Sequence, residues 1–115
     1  DMPDHRDHEV AKRQLPEGAT SMIVFGVKGG FEAGKALINS ARLASHVSNV
    51  GDAKTLLVHP ASTTHMQLDP EQRKLAGVPD DMIRLSVGLE DIADITADFE
   101  LGMRAAARVA AQAAE

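Results

Sequence analysis

The sequence predicts an α/β domain in which a small, largely antiparallel sheet carries helices packed on one face. Two observations predict it. Runs of strand length alternate with segments of helical spacing in the order α-β-α-β-α-β-α, and the connections between them are short. Hydrophobic residues make up 43% and charged residues 25% of the chain, which is the mixture of a folded domain and not of a disordered one.

Each element has its own signal. Residues 1–16 are polar, with a short helix expected over 7–14, and Pro16-Glu17-Gly18 reads as a turn. The run Ser21-Met-Ile-Val-Phe-Gly-Val27 is β-branched and apolar enough for a strand, and Gly29-Gly30 breaks it. A helix is expected over 31–44, with Ala33, Ala36, Leu37, Ser40, Ala41 and Ala44 on one face. Residues 45–52 read as a loop or short strand ending in a turn at Gly51-Asp52. A second strand is expected over 54–59, stopped by Pro60. Pro70 opens a short helix at a position where its missing N–H is tolerated, and Gly77 closes it. The third strand is expected over 82–89. In the last helix Glu90, Asp91 and Asp94 lie in the first turns, where carboxylates favour the positive end of the dipole. Its apolar stripe is Ile92, Ile95, Phe99 and Met103, and its Ala-rich end from Ala105 to Ala114 is expected to fray. Only Phe25, Phe31 and Phe99 are aromatic, so the core must rely on aliphatic residues and alanine.

Composition excludes several functions. The net charge of -5 comes with acidic and basic residues interspersed, so no basic stripe is available for nucleic acid. Cysteine is absent, which removes disulfides and thiolate metal sites and fits a cytoplasmic protein. The longest apolar run, 21–27, is too short to span a bilayer. The chain opens Asp1-Met2-Pro3-Asp4, and the expectation is that it starts within a longer protein.

Four features could carry chemistry. Gly29-Gly-Phe-Glu-Ala-Gly34-Lys35 has the spacing of a phosphate-binding loop, but Ala36 follows where a hydroxyl should hold magnesium, and Glu32 would put a carboxylate in the cradle. It is read as a glycine turn entering a closely packed helix. His5, His8, His59 and His65 have no metal-ligand spacing and are read as solvated or hydrogen-bonded, so no metal site is expected. Arg84 lies in a strand where Met82, Arg84 and Ser86 share one face and Ile83, Leu85 and Val87 the other. That alternation turns its planar fork away from the core, where it suits a carboxylate. An ordinary exposed arginine would be placed alike. The Ser62-Thr63-Thr64 hydroxyls suit either a ligand or the backbone of their own loop.

Two blocks go further. Ser45-His-Val-Ser-Asn-Val-Gly-Asp-Ala-Lys-Thr-Leu-Leu-Val-His-Pro-Ala-Ser-Thr-Thr-His65 and Asp81-Met-Ile-Arg-Leu-Ser-Val-Gly-Leu-Glu-Asp91 resemble the C-terminal domain of the Cys/Met-metabolism family of pyridoxal-phosphate enzymes. The wording is most similar to the O-acetylhomoserine sulfhydrylase branch, and the resemblance runs from about 4 to 103. It implies the C-terminal domain of a fold-type I enzyme, with 1–20 a linker and short helix from the preceding domain and 21–115 the substrate-binding domain.

The resemblance also implies roles. Arg84 stands at the family's arginine for the substrate α-carboxylate. Asn49 stands where lyases and γ-synthases usually have serine near that carboxylate, Thr64 matches a threonine near the active site, and Ser48 is a further candidate. Lys28, Lys35, Lys54 and Lys74 do not sit in the family's lysine motif. No catalytic residue is therefore expected in this chain, and the chain alone should be inactive. Pyridoxal phosphate would be bound mainly by the missing N-terminal part. The implied activity of the intact protein is formation of homocysteine from O-acetylhomoserine and sulfide, in a homotetramer. The alternatives are a cystathionine γ-synthase or methionine γ-lyase, or a non-catalytic assembly module.

Overall fold

The computed structural model describes residues 2–113, so Asp1, Ala114 and Glu115 lie outside the described residues. The elements follow the expected order: α1 (His8–Gln14), β1 (Met22–Gly26), α2 (Gly30–Ser40), β2 (Leu56–Val58), α3 (Pro70–Leu75), β3 (Met82–Ser86) and α4 (Ile92–Gln112), with a 3-10 turn at Pro60–Ser62 after β2. The sheet is antiparallel throughout. Its order is β1-β3-β2, so the last strand in sequence is the central one.

Register decides which side chains share a face. Phe25 lies opposite Ile83, and Ile23 and Leu57 lie on either side of Leu85. Ile83, Leu85 and Leu57 are buried against Ala33, Leu37 and Ile38 of α2 and Ala106 of α4. Successive strand residues point to opposite faces. Arg84, flanked by Val24 and Val58, therefore occupies the other face. Helix α1 contributes no buried residue, and the core is drawn from Val27 onward.

Helix α2 ends four residues before the expected 44. Ala41 turns extended, with φ -65 and ψ 141. The cause lies on another element. Asp98, buried in α4, accepts the Arg42 N–H at 2.6 Å and the Ala44 N–H at 3.0 Å. Burial pushes this carboxyl up, but the amides of Ala44, Arg42 and Leu43, with the Arg42 charge, outweigh it and hold its pKa below the usual aspartate range. A carboxylate thus replaces the helix ladder for the segment leaving α2.

The expected apolar stripe of α4 needs correction. Of its four members only Ile95 is buried, while Ile92 is 71% exposed and Met103 42%. The buried line is Ile95, Asp98, Gly102 and Ala106. At Gly102 a Cβ would lie 3.0 Å from the Leu37 carbonyl oxygen, so the two helices meet through small residues. Ile92, Phe99 and Met103 instead line an open apolar groove with Ile23, Phe25 and Val87. The Ala-rich end does not fray within the described residues. The helix continues to Gln112, with Ala106 buried, and a Cβ on Gly29 would lie 2.8 Å from that of Ala110. The α2 face is also wider than expected, because Gly34 and Ile38 are buried beside Ala33 and Leu37.

Asp98→Asn keeps one acceptor but turns an NH2 group toward a backbone donor, and should lower unfolding free energy by about 2 kcal/mol at neutral pH. The folded pKa lies below the unfolded one, so this contribution is present above about pH 4 and lost as pH falls through the folded value. Urea unfolding of the two proteins across pH 7 to 3 checks it. The gap should narrow only on the acid side.

Candidate functional site

The open face of the sheet is closed on one side and exposed on the other. Val58 is 5% exposed and Val24 53%, and Arg84 is half-buried between them. Above it runs the 46–54 loop. The loop is closed at its base, where the Ser45 N–H donates to the Thr55 carbonyl at 2.9 Å and the Leu57 N–H to the Ser45 carbonyl at 3.0 Å. Its far turn passes through Gly51 at φ +72, a conformation that suits glycine. Asp52 secures this turn by accepting the Lys54 N–H at 3.0 Å and the Asn49 side-chain amide at 3.3 Å. The Lys54 amide is the main cause that holds the Asp52 carboxyl below its usual range; slight burial opposes it and Asn49 assists.

The loop reaches Arg84 at two points. Nη1 donates to Ser48 Oγ at 3.4 Å and Nη2 to the Asn49 carbonyl at 3.3 Å. Both bonds are long and both acceptors neutral. No carboxylate lies within ion-pair distance of Arg84 among the described residues. Arg73 provides the contrast: it is buried, with Nη2 2.8 Å and Nε 2.9 Å from Asp80 Oδ1, and so is committed to the fold. The Arg84 fork, by contrast, is committed to no carboxylate among the described residues.

Three of the four expected site residues therefore meet: Arg84, Ser48 and Asn49. Asn49 does so through its backbone carbonyl. Its side-chain oxygen accepts the Val50 N–H at 2.9 Å, and its amide holds Asp52. Thr64 does not join them. It is exposed on the turn after the 3-10 segment, its hydroxyl is 2.9 Å from His65 Nδ1, and no hydrogen bond links it to the other three.

The other motifs resolve as packing. Gly29 and Gly30 have φ of +102 and +64 and turn the chain into α2. A Cβ on Gly34 would lie 2.7 Å from His59 Nε2. His59 is fully buried, its Nδ1 2.8 Å from Ser62 Oγ and its Nε2 2.8 Å from the Asp80 carbonyl, with the Phe31 ring packed edge-on at 5.2 Å. Gly34 thus serves a close helix–histidine contact, while Gly29 lies against Ala110 and Ala33. No cluster of three or more metal-ligating side chains occurs among the described residues. Nor is any helix among them long and apolar enough to cross a membrane.

Sequence reasoning missed Glu90 and Thr55. Glu90 Oε1 accepts the Thr55 N–H at 2.7 Å and Oε2 the Thr55 hydroxyl at 2.8 Å, while Thr55 Oγ1 accepts the Gly88 N–H at 3.0 Å. Glu90 lies before α4 and not in its first turn; Asp91 is the N-cap and only Asp94 the first-turn acid. No local pattern announces a partner 35 positions away.

A profile described as Cys/Met metabolism PLP-dependent enzyme matches residues 1–104. The chain belongs to this family. It is 53% identical over 98 residues to a sulfhydrylase-like protein, lolC1, of Epichloe uncinata, covering 85% of this chain and 21% of that protein. It is 46% identical to O-acetyl-L-homoserine sulfhydrylase 1 of Thermus thermophilus, covering 86% and 24%, and 50% identical to an L-methionine gamma-lyase of Fusobacterium nucleatum, covering 86% and 25%. A solved cystathionine gamma synthase from Xanthomonas oryzae, in complex with cystathionine, superposes with a TM-score of 0.79 at 32% identity, over 94% of this chain and 28% of that one. The fold is thus that of the fold-type I enzymes, and the chain spans about a quarter of the length of the curated relatives it matches.

The family depends on pyridoxal phosphate, yet the residues here do not fit the cofactor's imine. Such a lysine needs a desolvated pocket. Lys12, Lys28, Lys35, Lys54 and Lys74 are all exposed, and Lys35 lies 3.9 Å from Glu32. All five lysines of the chain therefore lie at its surface, outside any desolvated pocket.

Gly34→Ala should lower unfolding free energy by about 1–3 kcal/mol, because the buried His59 ring cannot yield to the added methyl. Differential scanning calorimetry checks it. Phosphate at millimolar concentration should raise neither protein's melting temperature.

Proposed function

We propose that the protein to which this chain belongs is a pyridoxal-phosphate-dependent transferase making homocysteine from O-acetylhomoserine and sulfide. Residues 21–115 would be its substrate-binding domain and 1–20 a linker and short helix. The observation that carries the reading is the state of Arg84: a half-buried guanidinium on the central strand, held by Ser48 and Asn49 and, among the described residues, paired with no carboxylate. An α-amino acid brings the missing partner. A bidentate pair with the substrate carboxylate would replace two long bonds to neutral oxygens by two short charge-assisted ones. Thr64, apart from this pair in the structure, has the weaker claim to the substrate. The domain division is supported by α1, which contributes no fully buried residue, while the buried core residues run from Val27 onward.

In this reading Arg84 fixes the α-carbon by its carboxylate and leaves the chemistry to groups outside this chain, the cofactor supplying the electron sink. The sulfhydrylase assignment is supported by the O-acetyl-L-homoserine sulfhydrylase and sulfhydrylase-like relatives. The methionine gamma-lyase relative, at 50% identity, supports a second reading, γ-elimination from methionine.

The intact protein should show a visible absorption band that shifts when O-acetylhomoserine is added, and should form homocysteine faster with sulfide than cystathionine with cysteine. Methionine turnover exceeding both would favour the lyase. A colourless full-length protein would leave an assembly module. Arg84→Lys, which keeps charge but loses the fork, should lower kcat/KM about 10- to 100-fold. Unchanged kcat/KM would remove Arg84 from the substrate site.

A further inference from the structure

The two bonds that orient Arg84 come from the 46–54 loop, so the guanidinium is only as well placed as that loop. The loop returns to the sheet at Thr55, which is 2% exposed. Thr55 does not begin β2, which starts one residue later at Leu56, so its N–H lies outside the strand ladder. Glu90 takes that N–H and the Thr55 hydroxyl together, one on each carboxylate oxygen, at 2.7 and 2.8 Å. The Gly88 N–H closes the ring onto Thr55 Oγ1, and the Leu89 N–H adds a bond to the Ala53 carbonyl at 2.8 Å. There is no slack at this joint. A Cβ on Gly88 would collide with Glu90 Oε2 and with the backbone of Lys54 and Thr55.

The chain segment 88–90 leaves β3, the strand that carries Arg84. One carboxylate thus ties the strand bearing the arginine to the loop bearing its two acceptors. We infer that Glu90 is a positioning residue for the carboxylate site, acting through Thr55 to hold Ser48 and Asn49 over Arg84. Helix capping does not account for it, since Asp91 caps α4 through the Ala93 N–H at 2.8 Å. The Thr55 backbone N–H, followed by Glu90's own N–H and the Thr55 hydroxyl, holds the Glu90 carboxyl below the usual glutamate range, so the clamp stays charged at neutral pH.

The inference rests on Arg84 taking the substrate carboxylate, and the test separates the two. In the intact, cofactor-loaded protein, Glu90→Ala should raise both KM for O-acetylhomoserine and Ki for L-homoserine about tenfold, equivalent to ~1.4 kcal/mol, with kcat within about twofold. The Ki of 3-amino-1-propanol, which lacks the carboxylate, should not move. Thr55→Val should reproduce the effect and carries the test if Glu90→Ala does not fold. Thr55→Ser, which keeps the hydroxyl, should restore wild-type KM. Normal KM in Thr55→Val, or equal weakening of both inhibitors, would reduce the clamp to general stability and overturn the inference. If Arg84→Lys also leaves the KM and both Ki values at wild type, the Arg84 reading fails and the inference with it. If Arg84→Lys weakens L-homoserine alone while Thr55→Val does not, only the Glu90 role is lost.

Discussion

Side-chain alternation along the central strand governs this fold and its site together. Ile83 and Leu85 must reach α2 and α4, and with a period of two that leaves Arg84 on the opposite face. A one-residue slip of β3 would bury the guanidinium and expose the core. Pairing on both sides, with β1 and with β2, holds the register. The same interactions that close the core therefore aim the arginine, and neither can be altered without the other.

The rest of the packing serves this sheet by close approach. Three phenylalanines provide few large contacts: Phe25 meets Phe99 edge-on at 5.5 Å and Phe31 meets His59. What replaces bulk is intimacy. Gly34 lets α2 settle against the buried histidine, Gly102 lets α4 settle against Leu37, and Gly88 lets the end of β3 touch the entry to β2. Where the backbone leaves regular structure, carboxylates take over the orphaned amides, Asp98 after α2 and Glu90 before β2. Each stays ionised because it accepts backbone N–H groups, and each joins segments far apart in the chain.

Membership of the pyridoxal-phosphate family gives this arrangement its context. A chain about a quarter as long as its relatives contains the arginine, the loop over it and the clamp beneath the loop, while its lysines all lie at the surface. One small sheet is enough to hold an arginine on a rigid strand with no carboxylate partner among the described residues.

Periodicity in the sequence determined the order of the elements and the direction of Arg84, since both depend on residues close together in the chain. The antiparallel sheet was expected from the short connections, and its order β1-β3-β2, which pairs strands far apart in the chain, came only with the fold. The Ser48–Asn49 neighbourhood came from two long blocks of family wording. The end of α2, the buried line of α4 and the roles of Glu90 and Asp98 were decided only in the tertiary structure. The reason is physical. The 3.6-residue period selected Ile92 and Met103 by hydrophobicity, whereas close contact with α2 selects small residues, Gly102 and Ala106. A carboxylate reads locally as a helix-dipole partner, but its strongest donors here are amides that come near only once the chain has folded.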